Sequence, residues 1–219
     1  MNSIHKPEVV FIDFDGVISK NSVLSNIKSA HTFINQYISI PYEALFTFFK
    51  STTSFSMQHT FGFLLTSLGI DMSESNQEQL MLSLYENIKT IIEADFYDFL
   101  DFCDRNSIRY LIYSSADKGI KRIPELIDRI GINGIYNLNG RSKANRNTYL
   151  EAAKELKIDL KNSMYIDDTP LALQTGKLHG MTTVMMLNSV FTLEDYQIFS
   201  SYIDYKINSF TELLEIFKN

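Results

Sequence analysis

Two acids, Asp13 and Asp15, follow directly on an apolar run in the segment "VVFIDFDGV". A second acidic pair, Asp167 and Asp168, ends another such run in "SMYIDD". Between them in the chain, Ser114 and Ser115 close "IRYLIYSS", and Lys143 precedes a helix-like stretch in "GRSKANRNTYLEAAKEL". Carboxylates brought together repel one another unless a cation sits among them, so convergence of these positions argues for a metal. Hard oxygen ligands point to Mg2+, which takes one or two carboxylates and leaves room for waters and phosphate oxygens. One carboxylate can attack phosphorus, and an acid two residues on can protonate the leaving oxygen and later activate water. A hydroxyl and an ammonium can hold the oxygens of the transferring group. These residue types describe a phosphoryl-transfer site.

Convergence requires strands whose carboxyl ends meet. Five short apolar runs qualify: "EVVFIDF" (8–14), "IRYLIYS" (108–114), "INGIYNL" (132–138), "SMYIDD" (163–168) and "MTTVMML" (181–187). Helix-like segments at 95–106, 118–130, 145–157 and 170–179 separate most of them, which predicts an α/β fold with a Rossmann-like parallel sheet. In such sheets ligands bind outside the carboxyl ends of the strands, where the acids, Ser114 and Lys143 would stand.

Residues 19–92 break the rhythm, with helical stretches near 22–37, 41–50, 56–68 and 76–92 and no convincing buried strand. Pro41 suits a first helical position, Gly69 a helix end, and 71–75 the start of the last helix. A helical cap over 19–92 is expected, inserted into a core formed by 1–18 and 93–219. Lys50, Gln58 and His59 of this insertion are candidate substrate contacts. Residues 188–219 read as packing, closing on a helix capped by Ser209.

The net charge of −6 and the lack of a basic cluster exclude the electrostatic footprint of a nucleic-acid binder. The lone Cys103 and an N-terminus without signal-peptide order lead us to expect a cytoplasmic protein, and no apolar run approaches the ~20 residues that span a bilayer.

The ordered set resembles the haloacid dehalogenase (HAD) superfamily. Asp13-Phe14-Asp15-Gly16-Val17 is similar to its first motif, Ser114 to its second, Lys143 to its third, and Asp167-Asp168 to its fourth. The stretch "KANRNTYLEAAKEL" resembles the third-motif pattern without its two prolines, and no further acid follows the fourth motif, where Ala172 stands. The resemblance implies a nucleophile at Asp13 and an acid/base at Asp15. It also implies Mg2+ on Asp13, the Asp15 carbonyl and Asp168, with Asp167 assisting from behind, and a phosphoryl group held by Ser114, Ser115 and Lys143. A small phosphorylated metabolite is the implied partner. A phosphatase and a sugar-phosphate mutase share these residues, a dehalogenase has no use for Asp15, and a non-catalytic phosphate binder of the same fold is the third reading. Taken singly, each motif has a plainer reading: Asp15-Gly16 a turn, Ser114-Ser115 a helix cap, Lys143 a solvated lysine, Asp167-Asp168 a cap before Pro170. His179, where a helix meets Gly180, reads as structural.

Overall fold

The structure, a computed structural model, describes residues 5–55, 57–70, 90–114, 120, 123–131 and 134–218. Six parallel strands form one sheet in the order β3-β2-β1-β4-β5-β6. They are β1 (Val9–Ile12), β2 (Arg109–Ser114), β3 (Ile135–Asn137), β4 (Ser163–Asp167), β5 (Thr182–Met186) and β6 (Tyr205–Ile207). β1 is central, in register with β2 on one side (Val9 opposite Arg109) and β4 on the other (Val9 opposite Ser163). The strand order reverses beside β1, so the carboxyl ends of β1, β2 and β4 frame the switch-point crevice where ligands bind in open α/β sheets.

Alternation explains why β1 is apolar throughout. Val9 and Phe11 point into one hydrophobic cluster, Val10 and Ile12 into another on the opposite face. The second cluster is covered by α4 (Ala94–Arg105) and α9 (Phe210–Lys218), where Phe210 packs 5.2 Å from both Phe96 and Phe99, centroid to centroid. Ser209 Oγ accepts from Glu212 N (3.2 Å) at the start of α9, as the expected cap. The first cluster is covered by α6 (Arg146–Leu156) and α7 (Pro170–Leu178) and runs on without a break into α1 (Ser22–Ile34), α2 (Tyr42–Thr52) and α3 (Met57–Ser67). These three helices lie in the segment between β1 and β2, and Leu45, Phe49 and Phe61 bury there.

Pro41 stands just outside α2 rather than as its first residue, and Gly69, at φ +69°, ends the turn after α3. The expected helix over 76–92 falls almost wholly outside the described residues. Two elements of the tail were not anticipated: α8 (Leu193–Phe199) and the edge strand β6. β6 is three residues long, with Lys206 exposed at its centre, too short to show a period. α5 (Pro124–Ile130) is a further helix among the described residues. None of them is long and apolar enough to cross a membrane.

Candidate active site

Asp13 extends the β1–β4 ladder by one bond, Asp13 N donating to Ile166 O (2.9 Å), so its backbone is held by the sheet itself. Its Oδ1 accepts from Phe14 N at 2.7 Å. The chain then turns tightly: Ser19 N donates to Phe14 O and Gly16 N to Ser19 O, each at 2.9 Å. Gly16 makes this possible at φ +78°, a region L side chains avoid. A Cβ at Gly16 would lie 1.9 Å from Asp168 Oδ2 and 2.9 Å from Asn188 Nδ2. Gly16→Ala therefore carries left-handed backbone strain of about 1–2 kcal/mol and displaces the Asp168 carboxylate. We expect a lower melting temperature together with loss of divalent-cation binding by titration calorimetry; unchanged cation binding would contradict this geometry.

Lys143 is 8% exposed, and its ammonium lies 2.5 Å from Asp13 Oδ2 and 2.9 Å from Asp167 Oδ2. The loop bearing it keeps its shape without prolines. Ala144 N, a donor that proline would lack, bonds Ser142 Oγ (3.0 Å), and Thr148 Oγ1 donates to Ser142 O (2.9 Å). Asn145 caps α6 by accepting from Asn147 N. Ser54 O, between α2 and α3, accepts from both Lys143 N and Ser142 Oγ at 2.9 Å, tying the inserted helices to this loop.

Oxygens of Asp13, Asp167 and Asp168 converge to within 4.8 Å of one another, all three residues buried. The two acids of the pair nevertheless differ. Asp167 Oδ2 takes the Lys143 ammonium and the Tyr165 hydroxyl, and its Oδ1 takes Thr169 N (2.7 Å), so its lone pairs are largely spent on fixing Lys143. Asp168 accepts from Thr169 Oγ1 (3.1 Å) and Asn188 Nδ2 (2.8 Å), which leaves it more capacity toward the cavity it lines. Asp167 is thus the member of the cluster whose oxygens are most fully engaged by protein donors.

Two residues here escaped the sequence reading. Tyr165 lies two before Asp167 on β4, and strand alternation puts both on one face, a signal present in "MYIDD". Asn188 follows β5; its Nδ2 also donates to Gly16 O (3.0 Å), and its Oδ1 accepts from Val190 N and Phe191 N. It thus joins the ends of β1, β4 and β5.

Burial pushes the Asp13 carboxyl up to about 8, against the opposing pull of Lys143. Burial also raises Asp15 and holds Asp168 well above the usual carboxylate range, where the neighbouring Asp167 and Asp13 add to the effect. Lys143 is raised, because Asp13 and Asp167 outweigh its own desolvation. A raised folded-state carboxyl binds protons that the unfolded chain has released. Asp13 thus contributes stability that is complete below pH ~4 and lost as pH rises through about 8. In chelator, the melting temperature should fall across that window, and a bound divalent cation should flatten the fall. A metal-free profile that rises from pH 5 to 8 would contradict it.

One cavity is lined by Asp13, Asp15, Ser114, Lys143 and Asp168, with residues of α1 to α3 opposite. Ser115 lies outside the described residues, as does the side chain of Gln58. His59 is exposed on α3. Lys50 does not line the cavity; it pairs with Asp195 of α8 at 2.8 Å and faces the Phe191 ring at 5.8 Å. It joins α2 to the segment after β5. His179 Nε2 lies 3.0 Å from Arg146 O, which can only accept, so the nitrogen donates there, and the ring stacks on Tyr149.

No protein-family profile matches the sequence, and no curated protein matches it. The fold has many solved counterparts. A hydrolase from Pseudomonas syringae is similar at TM-score 0.72, with 15% identity over 95% of this chain and 96% of that one. A beta-phosphoglucomutase from Clostridium difficile is similar at TM-score 0.68, with 16% identity and 97% of each chain covered. A HAD family hydrolase from Deinococcus radiodurans, solved with bound phosphate and sodium, is similar at TM-score 0.65, with 16% identity over 95% of this chain and 93% of that one. The protein has the fold of the haloacid dehalogenase superfamily, a Rossmann-like parallel sheet with helices inserted after the first strand.

Proposed function

We propose that the protein is a Mg2+-dependent phosphatase acting on a small phosphomonoester through a phosphorylated Asp13. The observation that carries this reading is the buried Asp13 carboxylate, held against Lys143 and facing one cavity with Asp15, Ser114 and Asp168. Four carboxylates, Asp13, Asp15, Asp167 and Asp168, meet one buried ammonium, and burial disfavours the charge of Asp13 and Asp168. A divalent cation fits that imbalance, and Asp13, Asp168 and the Asp15 carbonyl would hold it. When bound, Mg2+ neutralises charge on the phosphoryl oxygens and on the carboxylates that meet them.

The residues themselves divide the work. An Asp13 oxygen attacks phosphorus, and the bond from phosphorus to the leaving oxygen breaks. Asp15 gives that oxygen its proton, releasing an alcohol. Asp15 then takes a proton from water, whose oxygen attacks phosphorus and breaks the bond to Asp13, freeing inorganic phosphate and restoring the carboxylate. Lys143, aimed by Asp167 and Tyr165, and the Ser114 hydroxyl bind the phosphoryl oxygens. The segment 19–92, which carries α1 to α3, acts as the cap that screens this chemistry from water.

The test is phosphate release from a panel of small phosphomonoesters and an aryl phosphate, with Mg2+ and with chelator. Release that persists undiminished in chelator, or none at all from a folded protein, would overturn the proposal. Asn188 offers a second check, since it fixes the Asp168 oxygen on the far side from Thr169 Oγ1. Asn188→Ala should raise the Mg2+ concentration for half-saturation about tenfold, the low end of effects of groups that orient metal ligands. Calorimetry and the Mg2+ dependence of the melting temperature read this without reliance on turnover.

A further inference from the structure

We infer that the leaving-group end of this cavity selects an uncharged, hydroxyl-bearing group and rejects one carrying a carboxylate or a second phosphate; this rests on the phosphatase reading above. The wall opposite Asp13 is built by the end of α2 and the turn after it. The Thr52 hydroxyl is 2.8 Å from Phe48 O, that of Thr53 is 3.3 Å from Lys50 O, and that of Thr60 is 3.5 Å from Thr52 O. A carbonyl oxygen only accepts, so each of these hydroxyls spends its one proton on the backbone. What remains for the cavity is lone pairs, which bind donors and repel anions.

No cation among the described lining residues is left without a counter-charge to offset that preference. Among the described residues, the two cations that line the cavity each face a carboxylate. Lys143 is held by Asp13 and Asp167. Arg141 is engaged at all three nitrogens: Nε to Leu138 O, Nη1 to Glu151 and Nη2 to the Tyr136 hydroxyl. Asn26 of α1, buried at the cavity wall, supplies an uncharged amide. Ser54 on that wall has a fully buried hydroxyl with no hydrogen-bond partner among the described residues. Such a group is costly unless a bound molecule or water pairs with it. The cavity holds about 70 Å³, against the roughly 300–1,000 Å³ of sites for drug-sized ligands. The leaving group is therefore short: a small polyol, not a nucleoside.

The matched probes are glycerol 3-phosphate and 3-phosphoglycerate, which share a skeleton and differ by a hydroxymethyl against a carboxylate. With Mg2+ saturating, kcat/KM for the first should exceed that for the second by at least ~100-fold, the scale of an unpaired charge in a partly buried site. Thr53→Lys places a cation on the wall and should shrink this ratio at least tenfold. If p-nitrophenyl phosphate is hydrolysed and the two probes are equal, or the carboxylate is preferred, the inference is overturned while the phosphatase reading stands. If none of the three is hydrolysed by folded, Mg2+-loaded protein, that reading falls and takes the inference with it.

Discussion

Asp13→Asn should abolish phosphate release, with a loss on the order of 10⁴-fold or more, the scale on which removing a nucleophile acts in other enzymes. The substitution is close to isosteric. Its carbonyl oxygen can still accept from Phe14 N, and the backbone bond from Asp13 N to Ile166 O is untouched. Lys143 keeps Asp167 as its partner. Fold and substrate affinity should therefore survive. The variant also removes a buried acid whose carboxyl is pushed up to about 8, so in chelator at neutral pH its melting temperature should equal or exceed that of the parent protein. Retained turnover at more than a few per cent would remove Asp13 from the nucleophile's role. A large drop in melting temperature would show that Asp13 is a structural partner of Lys143 first.

Asp15→Asn should lower kcat by about 10² to 10⁴ while leaving KM nearly unchanged, because it deletes a proton transfer and not a binding contact. The deficit depends on the leaving group. An alkoxide leaves badly without a proton, whereas an aryl oxide leaves unaided. With an aryl phosphate the first half-reaction should be spared, and the loss should move to the attack of water on phosphorylated Asp13. A burst of aryl alcohol, followed by slow turnover, is the expected trace. Equal losses on alkyl and aryl substrates with no burst would mean that Asp15 acts elsewhere.

Among the contacts that join the inserted helices to the core, two are announced by no local pattern. One is the Ser54 carbonyl, which receives Lys143 N and Ser142 Oγ; the other is the Lys50–Asp195 pair. Lys50 is polar among aromatics in the sequence, and that alone suits a substrate contact as well as an ion pair. The choice between them depends on where α8 lies, and α8 follows a loop whose course is set by Asn188.

What the sequence determined by itself is the class of sheet, most of its strands and the order of the acids along them. Those signals are local: continuous apolar runs for strands buried on both faces, acids and serines at their ends, Gly16 after the acid pair, Asn145 and Ser209 before helices. The tertiary structure decided which acid faces what. Asp167 and Asp168 are neighbours in "IDD", and only packing commits the first to Lys143 and Tyr165 and the second to Asn188. Asn188 meets Gly16 across 172 residues of chain, and Lys143 meets Asp167 across 24. Such contacts arise because a parallel sheet gathers the ends of distant strands at one edge, and a side chain's partner there is fixed by strand order, not by its neighbours in sequence.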